Sequence, residues 1–129
     1  MNLLRRLILL TSLFLGGCLT AIASHDNTAR ARLGQTASLG LVRVTPLQVI
    51  EDSRCVQGVQ CVWAGQVRVR ASVESPGGEH ERTLTLDQPQ QIGGGTLLLE
   101  AVTPRRKAES PIPPRDYTFT LHYTVPSSR

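Results

Sequence analysis

Two stretches of this chain alternate apolar and polar residues with a strict period of two. In the first, Val67, Val69, Ala71 and Val73 face one way and Gln66, Arg68, Arg70 and Ser72 the other. In the second, Tyr117, Phe119, Leu121, Tyr123 and Val125 interleave with Thr118, Thr120, His122 and Thr124. Successive side chains of an extended strand point to opposite faces, so this pattern predicts strands with one buried and one wet face, as in antiparallel sheets. No window carries a convincing helical period. Eight Pro and eleven Gly in 129 residues argue further against a helical bundle.

The remaining strands follow from composition and turn signals. They are expected at residues 35–39, 41–50, 81–86 (Leu84 and Leu86 inward) and 96–102. Pro46, inside the second of these, implies an edge position, a bulge or a break. The turn cluster Ser75-Pro76-Gly77-Gly78 predicts that 66–73 and 81–86 pair as a hairpin. Gly93-Gly94-Gly95 is another turn; no Lys-Ser/Thr follows it and no helix opens there, so it is not a phosphate loop. The expected fold is a single all-β domain over residues 32–129, a small antiparallel β-sandwich or barrel of about six to eight strands. Its core is mainly Val, Leu and Ile, because Trp63, Tyr117, Phe119 and Tyr123 are the only aromatics after Phe14. Residues 103–115 hold four of the eight prolines and five charges. They are expected to form an irregular loop, either a mobile surface segment or a polyproline-stiffened binding loop.

The N-terminus has the layout of an export signal. Arg5 and Arg6 lead an apolar run from Leu7 to Leu15, too short to span a bilayer. The tetrad Leu15-Gly16-Gly17-Cys18 resembles the bacterial lipobox. That resemblance implies that residues 1–17 are a lipoprotein signal peptide and that Cys18 carries a diacylglycerol and becomes the first mature residue. Residues 18–31, polar and aperiodic, are then a lipidated tether that includes His25, Asp26 and Asn27. Several palmitate-like acyl chains, at about 0.8 kcal/mol per buried methylene, hold such a domain firmly on a membrane. In a Gram-negative cell, Leu19 in place of an acidic retention residue directs the protein to the outer membrane, facing the periplasm. A rival cut stands open: Ala21-Ile22-Ala23 before Ser24 suits ordinary signal peptidase, discards Cys18 and yields a soluble periplasmic protein. No later apolar run is long enough for a transmembrane helix. Without Arg5 and Arg6, the 14 basic side chains fall to 12 against 10 acidic ones, a net of +2 that does not suggest nucleic acid as a partner.

Lipidation of Cys18 leaves Cys55 and Cys61, which an oxidising compartment is expected to join. The loop they close is short, and its entropy is worth about 2 to 2.5 kcal/mol. The alternative is a reactive or metal-binding thiol pair, although Cys-x5-Cys is not a zinc spacing and no His lies nearby in sequence.

The segment EDSRCVQGVQCVWAG, from Glu51 to Gly65, is the one distinctive motif. Each residue has a structural use. Asp52 and Ser53 can accept from backbone N–H groups, Arg54 can pair with Asp52 or Glu51, and Gly58 can take a positive φ. Trp63 can plug one end of the sandwich beside the disulfide, which is the expected role here. The competing reading makes Asp52, Ser53, Arg54 and Trp63 a rigid recognition loop, with Arg54 free to clamp a carboxylate or phosphate. The pattern D-S-R-C-x5-C-x-W-x-G, carried by Asp52, Ser53, Arg54, Cys55, Cys61, Trp63 and Gly65, resembles uncharacterised bacterial envelope lipoproteins, which often place Pro where this chain has Val56. The resemblance implies an envelope location, a disulfide and a β fold, and adds nothing catalytic.

Candidate catalytic groups are few. His25 lies in the tether, His80 lies between Glu79 and Glu81 beside a Gly-rich turn, and His122 lies on an outward face. Ser53 lacks a nucleophile elbow. Glu79, His80 and Glu81 point to alternate faces of a strand and make a poor metal site. The expectation is therefore a non-enzymatic, lipid-anchored envelope β-domain with a binding or structural role. It needs no cofactor or metal, and its expected contacts are the membrane through its lipid and another envelope protein. The alternative is a periplasmic inhibitor of a secreted hydrolase that presents the loop from Asp52 to Trp63.

Overall fold

The computed structural model describes residues 27–107 and 110–126; the expected signal at 1–17, Cys18 and His25 lie outside these. The described chain forms β1 (Thr28–Ala31), β2 (Ala37–Leu39), β3 (Val42–Asp52), β4 (Val67–Ser75), β5 (Gly78–Thr85), β6 (Gln90–Ile92), β7 (Gly95–Thr103) and β8 (Thr118–Thr124), with a short 3-10 turn at Pro114–Asp116. One sheet has the order β1-β8-β7-β6 and the other β2-β3-β4-β5, all pairs antiparallel. Neither sheet closes on itself, so the fold is a sandwich and not a barrel.

Val67, Val69, Ala71 and Val73 all face the core, and Tyr117, Phe119, Leu121 and Tyr123 meet them from the other sheet. Only Val125, last in the alternating run, leaves the interior. The β4–β5 hairpin turns at Ser75–Gly78 as its sequence predicts. Two strands escape the pattern analysis, β6 and β1. Residues 28–31 were expected in the tether, but they pair with β8 from Thr28↔His122 to Ala31↔Phe119. Residues 28–31 therefore belong to the β domain, and the Asn27 carbonyl before them accepts a bond from Tyr123 N at 2.8 Å. Thr-Ala-Arg-Ala carries too little apolar character to announce a strand, but its Ala31 is small enough to be buried over the core beside Phe119.

The register of β3 decides what lies at the far end of the core. Directly opposed residues share a face. The inward residues Val73, Ala71, Val69 and Val67 of β4 are opposed by Val44, Pro46, Val49 and Asp52 of β3. That spacing is uneven because the register shifts twice, between Pro46 and Gln48 and between Val49 and Glu51. Each bulge inserts one unpaired residue. Leu47 and Ile50 are those residues, and they stand out at 37% and 47% exposure. The last inward position of β3 thus falls on a carboxylate. Pro46 does mark a bulge, and its carbonyl accepts a bond from Gly34 N, just before β2 begins.

The two ends of the sandwich differ. The chain enters at Asn27, and the Gly40-Leu41, Ser75–Gly78 and Gly93-Gly94 turns and the exit at Val125 lie at that same end. The opposite end holds the long β3–β4 and β7–β8 connections. The 11 residues of β3 put these ends about 30 Å apart.

The bulged register yields a stability prediction. Ile50→Ser is expected to change unfolding free energy by less than about 0.5 kcal/mol, whereas Leu97→Ala, in the sealed core, is expected to cost about 2–5 kcal/mol. Equilibrium urea unfolding of both variants checks this. A large loss for Ile50→Ser would place Ile50 in the core and refute the register.

Candidate functional site

The Asp52 carboxylate projects from the end of β3 and its side chain is only 8% exposed. Arg54 folds back on it in a two-pronged ion pair, Nε to Oδ1 at 2.9 Å and Nη2 to Oδ2 at 2.8 Å. The Tyr117 hydroxyl, reaching from the 3-10 turn before β8, donates to Oδ2 at 2.8 Å. Arg54 also donates from Nη1 to the Val102 carbonyl at 2.6 Å and from Nη2 to the Pro104 carbonyl at 3.0 Å. Its own carbonyl accepts from Arg106 Nη1 at 3.0 Å, and the Arg106 carbonyl accepts from Gln57 N at 2.9 Å. This one network ties together both sheets and both long connections. The expected irregular loop at 103–115 is thus pinned where it is described, with a Lys107–Ser110 bridge and the 3-10 turn adding local order.

Electrostatics keeps the network charged. Burial pushes the Asp52 carboxyl up, but hydrogen bonds from Arg54 and Tyr117 and the Arg54 charge outweigh it and hold the group below its usual 3.8. Burial, the bond to Asp52 and the Asp52 charge push the Tyr117 phenol up to about 12, so it remains a donor at any ordinary pH. Tyr117 also stacks on Phe119, ring centres 5.8 Å apart, which fixes the phenol over the end of the core.

A second clasp sits one residue on. Ser53 N donates to the Gln66 carbonyl at 2.9 Å, Gln66 N donates to Ser53 Oγ at 3.0 Å, and Gln66 Nε2 donates to Glu51 at 3.0 Å. The two ends of the β3–β4 connection are thereby held side by side. Gly65 is required there, since a Cβ on it would sit 1.7 Å from the Ser53 carbonyl oxygen. Beyond the clasp, Cys55 and Cys61 are joined in a disulfide with Cα atoms 5.9 Å apart, a normal span. Gly58 takes φ of 83° at the turn inside it.

The structure separates the four candidate loop residues. Asp52, Ser53 and Arg54 spend their polar groups on internal bonds, so Arg54 is not free to clamp a ligand. Trp63 does the opposite. The expected plug is absent: its side chain is 84% exposed, beside Val62 at 91%, with Val59 exposed on the same loop. The core end that an indole was expected to seal is sealed by Tyr117 and the Arg54–Asp52 pair. No side chain from Val56 to Ala64 is charged. Flanking this apolar tip, a cleft of about 430 Å³ is lined by Cys55, Asp87, Glu100, Arg105 and Arg106 among others, a rim of both charge signs. The contributions of Arg106 and Tyr117 escape sequence reasoning, because only the fold brings residues 52 and 117 together.

The candidate catalytic groups are dispersed. His80 is opposed to Val73 and His122 to Thr28, near the entry end and far from Asp52 and Ser53. His122 Nδ1 is 2.7 Å from Thr28 Oγ1. Among the described residues no three His, Cys, Asp or Glu side chains gather to hold a metal, and no helix is long and apolar enough to cross a membrane.

Two predictions follow from these braces. Asp52→Asn strands the Arg54 charge and is expected to cost about 2–4 kcal/mol at neutral pH. The folded carboxyl titrates below 3.8, so its stabilisation is complete above that value and is lost as pH falls through the lower, folded one. The gap between wild type and Asp52→Asn should therefore close in strongly acid urea titrations; a constant gap would deny the charged pair its role. Replacing both Cys55 and Cys61 by Ser should lower stability by about 2 kcal/mol in non-reducing melts while preserving the sandwich, as read by far-ultraviolet circular dichroism. The chain matches no protein-family model, no curated protein and no solved structure, and the geometry of this tip carries the functional reading.

Proposed function

We propose that this protein is a lipid-anchored envelope domain that binds another envelope protein through the disulfide-braced tip around Trp63. The observation that carries the reading is the 84% exposed Trp63 beside Val62 on a loop held by a disulfide, a backbone clasp and an ion-pair network. Exposing an indole and a valine to water has no folding benefit. Interface energy is concentrated in such aromatic anchors, and a loop already fixed in shape loses little entropy on binding. An uncharged apolar centre beside a rim of Asp87, Glu100, Arg105 and Arg106 also matches the anatomy of protein interfaces. The lipobox tetrad at Cys18 supports the anchor, and the resemblance of the Asp52-to-Gly65 motif to envelope lipoproteins supports the location.

The uncharged, exposed apolar residues of the tip favour one second reading, insertion into the cleft of a secreted hydrolase as its inhibitor. A photo-crosslinking residue at Val62 in the full chain, activated in intact envelopes, separates the two. A discrete adduct supports binding, and a hydrolase whose turnover falls on addition of the protein supports inhibition. Trp63→Ala is expected to weaken either complex by about 2 kcal/mol, roughly 30-fold, with an unchanged melting temperature. An adduct that forms equally well in Trp63→Ala, or no discrete adduct, refutes the tip as the binding surface. Cys18→Ser is expected to move the protein from the membrane to the soluble fraction, and retention on the membrane would refute the lipid anchor.

A further inference from the structure

We infer that the entry end of the sandwich is a lipid-facing surface, which lies on the bilayer and points the Trp63 tip away from it. The inference rests on the proposed lipid anchor at Cys18 and adds to it a specific contact. Its first support is the chain's course. Eight residues lie between Cys18 and Asn27, and fully extended the link reaches about 30 Å at most. The domain therefore stays close to the membrane, and the end from which that segment departs is the nearest.

The second support is composition. The turns at this end are built from Asn27, Gly40-Leu41, Ser75–Gly78, Gly93-Gly94 and Val125-Pro126, without one ionisable side chain. Of the described charges that flank these turns, Arg43 and Glu74 neutralise each other in an ion pair of 2.6 Å, and Glu79, directly after Gly78, accepts a hydrogen bond from Ser72. The other end carries Asp52, Arg54, Asp87, Arg105, Arg106 and Lys107. A bilayer surface excludes an end loop that bears an unpaired charge far more than one that bears none.

The third support is an apolar cleft of about 480 Å³ at this end, lined by Asn27, Leu39, Gly40, Leu41 and Val125. Leu41 is 63% exposed and Val125 48%, two large apolar side chains beside the point where the chain enters. A headgroup-level acyl segment is the chemistry that this rim fits. Glycine at position 40, with φ of 76°, holds the turn that projects Leu41.

The test uses the full-length acylated protein in vesicles containing lipids with nitroxide quenchers near the headgroup. Cys18 is blocked by its lipid and Cys55 and Cys61 by their disulfide, so single fluorophores can be placed on Leu41→Cys, Val125→Cys and Val62→Cys. Flotation with the vesicles first reports on the anchor. Floating protein whose probes at 41 and 125 lose emission to the lipid quencher, while the probe at 62 does not, is the expected result. Floating protein with all three probes unquenched, or all three quenched alike, overturns the orientation and leaves the anchor standing. Protein that fails to float, with an unacylated mass, removes the anchor and the inference together. A second copy of the chain covering this end would leave the probes at 41 and 125 unquenched, and so also counts against lipid contact. Leu41→Ser should abolish quenching at 125 without releasing the protein from the vesicles, which a tether acting alone would not produce.

Discussion

The Asp52–Arg54 pair is the contact on which the rest of this architecture depends. It sits where a column of inward side chains, Val44 and Pro46 buried and Val49 half-buried, runs out. A carboxylate at that position would be costly if it stood alone, since an unpaired charge near an apolar core loses its hydration. Here it meets a matched guanidinium and a phenol, and among the described residues no buried side-chain polar atom lacks a partner. A buried ion pair contributes little net stability compared with a well-packed apolar substitute, but breaking one is expensive. Its value here is positional. One arginine, bonded to Asp52 and to the carbonyls of Val102 and Pro104, fixes the β3–β4 connection against the β7–β8 connection.

The tip is built outward from that lock in layers. The Asp52–Arg54–Tyr117 network fixes the root, the Ser53–Gln66 clasp brings the two chain segments together, and the Cys55–Cys61 bond closes the loop beyond. Each layer limits the freedom of the next. Without the root, the disulfide would close a loop that swings as a unit. Without the disulfide, the clasp would leave a string of small and uncharged residues with many conformations. Together they give Trp63 a fixed stage although its own side chain touches almost nothing. The backbone that carries the indole is held even though the indole itself is exposed. Chain entropy, which normally opposes presenting an aromatic on a loop, has already been spent in folding.

Much of this was legible in the residues, and the exceptions have physical causes. β4 and β8 run without bulges through the core, so their period of two survives unbroken and their inward residues can be read directly. β3 carries two bulges, and each moves the pattern by one residue. Leu47 and Ile50 look like core and lie outside, while Asp52 looks like a loop residue and lies at the edge of the core. β1 was concealed by its size: Ala29 and Ala31 fill the space that β8 leaves, and small residues carry little signal. The disulfide was legible from cysteine arithmetic, whereas for Arg54 the residues offered Asp52, Glu51 or a ligand as partner and did not choose between them. The exposure of Trp63 was not. A lone indole beside two cysteines ordinarily packs into a core, and what displaced it was Tyr117, 65 residues away from Asp52. No local pattern encodes that meeting.

β8 shows how a single strand serves both ends. Tyr117 immediately precedes it and Tyr123 nearly ends it, and both rings belong to the core. The Tyr117 hydroxyl reaches a charged network; the Tyr123 hydroxyl donates to the Ile92 carbonyl at 2.8 Å and lies 3.2 Å from that of Gly93. Each phenol satisfies its polar tip while its ring stays dry. The difference lies in what they join. At the entry end the partner is a neutral carbonyl in a glycine turn, so no ion is needed there and none is found among the turns. At the far end the partner is a carboxylate that demands an arginine, and that arginine recruits the 103–107 segment with its further basic residues. The contrast between the described turns at the entry end, which carry no ionisable side chain, and the charged surroundings of the apolar tip therefore traces to where β3 places its last inward residue.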